Sequence, residues 1–199
     1  MHPPSLGSDF QPTHNPHHTT MPSVGLKLPA FSLKATVSTD INHAFVQITD
    51  QSYKGKWQVL FFWPKDFTFV CPTEIAAFGA LDKEFAERDA QLLGASTDSE
   101  FVHLAWRTHH PELKDLPFPM LADIKRELCA ALNILDPVEG VAQRATYIID
   151  PEGIIRFVYI TDLNVGREPK EVLRVLDALQ HGGLMPCAWR PGQQPLTVG

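Results

Sequence analysis

Apolar residues in the middle of the chain follow the periods of strands and helices in turn. WQVLFFW at 57–63 is a continuous apolar run, which predicts a buried strand. TEIAAFGALDKEFAER at 73–88 has helical spacing, with apolar positions at Ile75, Phe78, Leu81 and Phe85. QLLGAST at 91–97 predicts another buried strand. Strand, helix and strand in this order predict a βαβ unit.

The next segments continue this alternation. Residues 98–109 predict an amphipathic helix, for which Asp98 and Ser99 offer an N-cap. FPMLAD at 118–123 predicts a short strand and a turn, and IKRELCAALNI at 124–134 predicts a helix.

The last predicted elements are a hairpin and a helix. ATYIID at 145–150 and IIRFVYI at 154–160 flank a turn of sequence DPEG, which is typical of a β-hairpin. EPKEVLRVLDAL predicts a final amphipathic helix that starts near Glu168. The fold class is therefore α/β, with a central mixed sheet flanked by helices on both faces.

Both ends of the chain lack a hydrophobic period. Residues 1–24 contain five prolines and the histidines His2, His14, His17 and His18, which predicts a disordered His/Pro-rich arm. Irregular spacing favours adventitious metal binding over a metal site there. Residues 181–199, rich in glycine and proline, predict an extended C-terminal arm, and residues 25–180 then form one domain.

Charge and hydropathy exclude several classes of function. The chain has 199 residues, 44% of them hydrophobic, and a formal net charge of −6, so no basic surface for nucleic acid is expected. No apolar run approaches the roughly 20 residues that span a bilayer, and the first residues lack the pattern of a secretory signal. We therefore expect a cytoplasmic protein that contacts neither nucleic acid nor membrane.

Three widely spaced cysteines, Cys71, Cys129 and Cys187, carry the candidate chemistry. In a reducing compartment such residues are inert core thiols, catalysts or redox sensors. Cys71 lies where a predicted strand ends and a helix begins, with Pro72 at an early helical position. Unpaired N–H groups and the helix dipole favour a thiolate at such a position. A structural cysteine at a strand end is the alternative interpretation.

Two neighbours of Cys71 strengthen the catalytic interpretation. Pro64 and Thr68 give the pattern Pro-x-x-x-Thr-x-x-Cys at the C-terminal edge of a strand, where α/β folds collect ligand sites. Taken singly, Thr68 is typical of a turn and Pro64 of a strand terminator.

The stretch FFWPKDFTFVCPTEIAAF resembles the peroxidatic segment of the peroxiredoxins, especially the bacterial alkyl hydroperoxide reductase C type. The similarity extends through DSEFVH-x-x-WR, LPFPMLADIKREL, R-x-T-Y-I-I-D-P, VGR and EVLRVLDAL, over roughly residues 25 to 190. It implies a thioredoxin-like fold with peroxiredoxin additions. It also implies a thiol peroxidase that reduces hydrogen peroxide and organic hydroperoxides to water and alcohols.

The resemblance implies a role for each matching residue. It implies that Cys71 is the peroxidatic thiolate, that Thr68 orients the peroxide, that Pro64 shields the pocket and that Arg144 is the active-site arginine. Three further positions match residues that line or support this pocket: Glu74, Trp106 and Arg167. No metal or other cofactor is expected.

The family's resolving cysteine lies on the C-terminal arm of a partner protomer. Here the arm reads MPCAWRPG, so Met185 takes the earlier cysteine position and Cys187 is the displaced candidate. The resemblance thus implies a Cys71–Cys187 intersubunit disulfide, a homodimer that can form a ring of dimers, and a dithiol protein as reductant. Cys129, on a helix beside Leu128 and Leu132, is expected to be an ordinary buried thiol.

Two other functions remain open at the level of sequence. A thiol-disulfide oxidoreductase normally uses a C-x-x-C pair, and the residue three after Cys71 is Glu74. A non-enzymatic holdase or redox-sensing scaffold would show large exposed apolar surfaces.

Overall fold

A computed structural model describes residues 23–197. The strands of this region are β1 (Ser32–Thr36), β2 (Phe45–Thr49), β3 (Trp57–Phe62), β4 (Ala90–Ser96), β5 (Met120–Ala122), β6 (Arg144–Ile149) and β7 (Ile155–Thr161). Its helices are α1 (Cys71–Ala80), α2 (Asp82–Ala86), α3 (Glu100–His109), α4 (Glu127–Ala131) and α5 (Pro169–His181).

The strands form one mixed sheet in the order β2-β1-β5-β4-β3-β6-β7. Strands β3, β4 and β5 run parallel and come from the predicted βαβ rhythm, whereas β6 runs antiparallel to β3 and forms a hairpin with β7. The predicted α/β class with a central mixed sheet is confirmed.

The side chains of β3 point alternately to the two faces of the sheet, and other residues cover both faces. Val59, Phe61 and Trp63 pack into one core together with side chains of α1, α2, α3 and α5. Leu60 and Phe62 point to the other face and pack with Leu128, Cys129 and Leu132 around α4. Because side chains alternate across a strand, a run that is apolar at every position requires cover on both sides.

Two predicted helices differ from the observed ones. The 73–88 segment is interrupted at Leu81, whose backbone (φ −101°, ψ 8°) leaves the helical region, so α1 and α2 are separate. The helix predicted over 124–134 is limited to α4, because Arg126 and Asn133 adopt left-handed φ values of 61° and 55° on either side of it. Periodicity does not report such local backbone conformations.

The β1–β2 hairpin is an element that the hydrophobic pattern did not predict. Its residues pair from Ser32 with Thr49 to Thr36 with Phe45, and β2 forms an edge of the sheet with a largely exposed face. A short, half-exposed strand carries too few apolar residues to show a clear period.

Over 182–197 the C-terminal arm has no helix or strand, and it folds back on itself. Leu196 N donates to Leu184 O at 2.8 Å, and Trp189 is buried, with its carbonyl accepting from Arg174 Nη1 at 2.9 Å. The predicted disordered arm at 1–24 lies almost wholly outside the described residues. Over 23–197, no helix is long and apolar enough to cross a membrane.

Candidate active site

Cys71 is the first residue of α1 and follows the segment 64–70, which connects it to β3. Its side chain is almost completely buried, with 1% of the residue exposed, in the core on the α1 side of the sheet. Pro72 occupies the start of the helix, where its missing N–H leaves no hydrogen bond unmade. The sulfur therefore lies beside the positive end of the α1 dipole.

A cavity of about 410 Å³ opens beside Cys71. The structure brings four of the residues predicted from the sequence to this cavity, namely Pro64, Thr68, Cys71 and Arg144. Apolar walls come from Phe69, Val70, Val141 and Leu163. An apolar cavity with a few convergent polar groups is the usual form of a small-molecule site.

Arg144 places a positive charge beside the sulfur. It lies at the start of β6, and its Nη1 is 3.4 Å from Cys71 Sγ. Its Nε donates to Leu163 O at 2.6 Å and its Nη1 donates to Glu74 Oε2 at 2.5 Å, so the guanidinium is held from two sides. A fixed positive charge therefore lies within contact distance of the sulfur, where negative charge develops on a group that reacts there.

Glu74 joins two arginines beneath the site. Its Oε1 accepts from Arg167 N at 2.7 Å and from Arg167 Nε at 2.9 Å, while Oε2 accepts from Arg144. Burial alone would raise the pKa of Glu74, but the hydrogen bonds and charge of Arg167, with the charge of Arg144, hold that pKa below its ordinary value. Glu74 is therefore a carboxylate, and it orients Arg144 toward the sulfur.

Thr68 and Pro64 shape the mouth of the cavity. Thr68 Oγ1 donates to Lys65 O at 3.0 Å, so the hydroxyl proton is engaged and its lone pairs can accept a hydrogen bond from a ligand. Pro64, two residues after the end of β3, is buried and lines the same cavity.

Trp106, Arg167 and Cys187 do not line this cavity. Trp106, on α3, packs against Phe67 with ring centroids 5.8 Å apart, and so lies behind the 64–70 segment. Arg167 supports Glu74 from below. Cys187 is exposed on the C-terminal arm, beside a second hollow lined by residues of α5.

Cys129 has the surroundings of an unreactive thiol. It is fully buried on α4, and burial, together with the negative charge of Asp123, raises the pKa of its thiol. A protonated buried thiol is a poor nucleophile.

Several cavity residues were not predicted from the sequence. Lys65 Nζ and Glu139 Oε2 form an ion pair at 2.7 Å across the mouth, and Leu163 and Asn164 close the far side. Lys65 lies inside the PKDFTFVCP stretch and could have been found there. Glu139, Leu163 and Asn164 lie on turns distant in sequence, and only the fold brings them to Cys71.

The arrangement suits attack by a sulfur anion on a small, polarisable molecule. It combines a nucleophile, a fixed cation and a hydroxyl around one cavity. Within residues 23–197 there is no cluster of three histidine, cysteine or acidic side chains that could bind a metal ion.

The chain matches a family model over residues 24–158, that of the AhpC/TSA family. It is 50% identical over 185 residues to alkyl hydroperoxide reductase C of Mycolicibacterium smegmatis, covering 89% of this chain and 94% of that protein. It is 40% identical over 190 residues to the mitochondrial thioredoxin-dependent peroxide reductase of Drosophila melanogaster, covering 91% and 80%.

Solved structures give the same result. AhpC of Mycobacterium bovis superimposes with a TM-score of 0.78 at 52% identity, covering 85% of this chain and 99% of that one. The reduced two-cysteine peroxiredoxin of Plasmodium vivax gives 0.80 at 34% identity, covering 86% and 91%. The predicted thioredoxin-like fold with peroxiredoxin additions is confirmed. The chain belongs to the AhpC/TSA family, as a two-cysteine peroxiredoxin of the alkyl hydroperoxide reductase C type.

Proposed function

We propose that this peroxiredoxin reduces hydrogen peroxide and organic hydroperoxides with Cys71 as the nucleophile. One observation supports this assignment most strongly: Cys71 Sγ lies 3.4 Å from Arg144 Nη1 at a cavity that Thr68 and Pro64 also line. Of the other two cysteines, Cys129 is buried beside a carboxylate and Cys187 lies on the exposed arm.

In the first step, the thiolate of Cys71 attacks one peroxide oxygen, and the O–O bond breaks. The sulfur is oxidised to sulfenic acid, and the other oxygen leaves as water or an alcohol after it gains a proton. Arg144 stabilises the negative charge that builds on the leaving oxygen, and Thr68 accepts a hydrogen bond from the peroxide.

Ionisation of the cysteine thiol is too small an effect to account for the rate acceleration of an enzyme. Complete ionisation of an ordinary thiol at neutral pH raises the thiolate fraction by roughly 30-fold, or about 2 kcal/mol. Enzymes commonly accelerate reactions by at least about 10⁶-fold, or about 8 kcal/mol. The larger part of the rate acceleration must therefore come from alignment of the O–O bond and stabilisation of the leaving oxygen. Arg144 and Thr68 lie where they can contribute to both.

In the second step, the thiol of Cys187 from the partner protomer attacks the sulfenic acid, which forms a disulfide and releases water. Exposure of Cys187 on a glycine- and proline-rich arm supports this role. A dithiol protein then reduces the disulfide by thiol exchange.

The proposed assembly is a homodimer that can associate into a ring. Phe69, which lines the cavity, is 94% exposed in the single chain, and Val138, next in sequence to the cavity residue Glu139, is 88% exposed. Burial of such residues against another protomer removes apolar surface from water. We place this enzyme in the cytoplasm, acting on small peroxides and on its reductant.

A reconstituted assay tests the assignment. We expect Cys71→Ser to abolish consumption of both hydrogen peroxide and an organic hydroperoxide, because a hydroxyl supplies almost no anion near neutral pH. Cys129→Ser is the matched control and is expected to keep turnover. Near wild-type turnover of purified Cys71→Ser would exclude Cys71 as the nucleophile.

A further inference from the structure

A buried ionisable pair lies behind the active site and takes no part in the chemistry described above. His103 Nδ1 and Asp66 Oδ2 are 2.7 Å apart, and their side chains are 0% and 1% exposed. Trp63 Nε1 donates to Asp66 Oδ1 at 2.7 Å, and His103 Nε2 lies 3.1 Å from Leu121 O. Burial of ionisable groups costs free energy, and a protein with apolar residues in their place is often equally stable. Stability alone therefore does not explain why this pair is present.

The hydrogen bonds fix the number of protons in the pair. A carbonyl oxygen only accepts, so His103 Nε2 carries a hydrogen for Leu121 O. One further proton must then lie between Nδ1 and Oδ2, because two bare lone pairs would repel at 2.7 Å. Asp98 and Glu100 are the other charged groups that influence the pair, and Glu100 is itself paired with Lys34 at 3.0 Å.

Asp66 holds the centre of the 64–70 segment. Its backbone N–H donates to Asp98 Oδ2 at 2.9 Å, so both its main chain and its side chain are anchored to the region around α3. Pro64 and Thr68, on either side of Asp66, line the cavity, whereas Asp66 and His103 do not.

The backbone conformation of Phe67, the residue after Asp66, explains why this segment needs to be held in place. Phe67 adopts a left-handed backbone with φ 56°, which costs a non-glycine residue about 1–3 kcal/mol. Such a conformation persists only where its surroundings enforce it. The Phe67 ring packs on Trp106, and on the N-terminal side the restraint comes from Asp66. Release of Asp66 would let the turn relax and move Thr68 relative to Cys71.

We propose that Asp66 and His103 are a positioning pair for the peroxide step, which fixes the turn carrying Thr68 without touching the substrate. The inference rests on the proposed function, since it concerns the alignment of peroxide at Cys71. A positioning role predicts loss of the peroxide reaction without loss of thiol reactivity, because alkylation needs a thiolate but no aligned leaving oxygen.

The test compares two rates at Cys71 in a Cys187→Ser background, in which no exposed thiol competes. One is the rate of oxidation by hydrogen peroxide, and the other is the rate of alkylation by iodoacetamide. In Asp66→Ala and His103→Phe we expect the peroxide rate to fall about 10- to 100-fold while alkylation stays within about twofold. Asp66→Asn is expected to restore the peroxide rate, because its amide can accept from Trp63 and donate to His103 Nδ1.

Two further variants complete the design. Trp63→Phe removes the indole N–H that donates to Asp66, together with part of a buried ring, but leaves the Asp66–His103 contact, so we expect a smaller fall in the ratio of the two rates. His109→Gln is the control. It changes an exposed residue on α3, the helix that carries His103, and is expected to leave the ratio unchanged.

An unchanged ratio in every folded variant, or a parallel fall of both rates, would overturn the positioning role. If the parent protein itself shows no reaction between peroxide and Cys71, the proposed function fails instead. The two failures are therefore distinguishable.

Discussion

At the scale of single residues, Glu74 links the structure of the site to its chemistry. Its carboxylate binds Arg167 through Oε1 and Arg144 through Oε2, and Arg144 in turn reaches Cys71 Sγ. Two buried guanidinium groups would repel each other without this carboxylate between them. The same group therefore stabilises the fold and orients the cation at the sulfur.

Glu74→Gln is expected to lower the free energy of unfolding by about 3 kcal/mol at neutral pH, because it leaves two buried cations uncompensated. Denaturant unfolding measures the change. Glu171→Gln, which breaks an ion pair with Arg174 at the surface of α5, is the control and is expected to cost less than about 1 kcal/mol.

The difference between wild type and Glu74→Gln should also depend on pH. Because the pKa of Glu74 is lowered in the folded state, its stabilising contribution is complete above its unfolded pKa of about 4.3 and is lost as pH falls through the lowered folded pKa. The two proteins should therefore converge in acid. A difference that persists unchanged to low pH would contradict this role of the carboxylate.

At the scale of elements, the first turn of α1 is only lightly secured. Val70, its N-cap, has no capping side chain, although Thr73 Oγ1 donates to Val70 O at 2.7 Å. Cys71 is buried and Cys187 is exposed, so a disulfide between them requires Cys71 to leave the helix. Glu74, held by two arginines, limits that unwinding to the residues before it.

One equivalent of peroxide is expected to join two protomers through a Cys71–Cys187 disulfide. On non-reducing gels, Cys187→Ser is expected to lose the covalent dimer and Cys129→Ser to keep it, because Cys129 is buried on the far side of the sheet. Loss of the dimer in Cys129→Ser, with retention in Cys187→Ser, would identify Cys129 as the resolving thiol.

Much of this architecture could be predicted from the sequence, for reasons that differ between elements. Strand β3 and helix α5 were predicted because deep burial and amphipathic packing leave clear periods. The β1–β2 hairpin was not predicted because β2 is half exposed, and α4 is shorter than its pattern because Arg126 and Asn133 leave the helical region. Cys71, Thr68 and Pro64 could be predicted as one site because they are neighbours in one sequence motif. Glu139 and Asn164 could not be predicted as part of that site, because only tertiary folding brings them to the cavity.

At the scale of the whole molecule, the competition between disulfide formation and further oxidation depends on how easily α1 unwinds. Family members prone to overoxidation resemble one another in a Gly-Gly-Leu-Gly segment and an additional C-terminal helix with a Tyr-Phe pair. The stretch RTHHPELKDLPFPM contains no glycine, and residues 182–197 contain no helix. Within the described residues, therefore, neither the glycine-rich segment nor the additional helix restrains the first turn of α1 around Cys71.

We accordingly expect this enzyme to resist inactivation by peroxide. During turnover with excess peroxide and a recycling reductant, mass spectrometry of Cys71 should find disulfide and thiol, with little sulfinic acid. Predominant sulfinic acid after few turnovers would show that the unwinding of α1, or the approach of Cys187, is slow.

The assignment of Cys71 as the peroxide-reactive thiol is tested most directly by trapping its first product. Reduced Cys187→Ser protein, given one equivalent of hydrogen peroxide in the presence of dimedone, should carry the dimedone adduct of a sulfenic acid on the peptide that contains Cys71. An adduct on the Cys129 peptide, or peroxide consumption without any adduct at Cys71, would contradict the assignment.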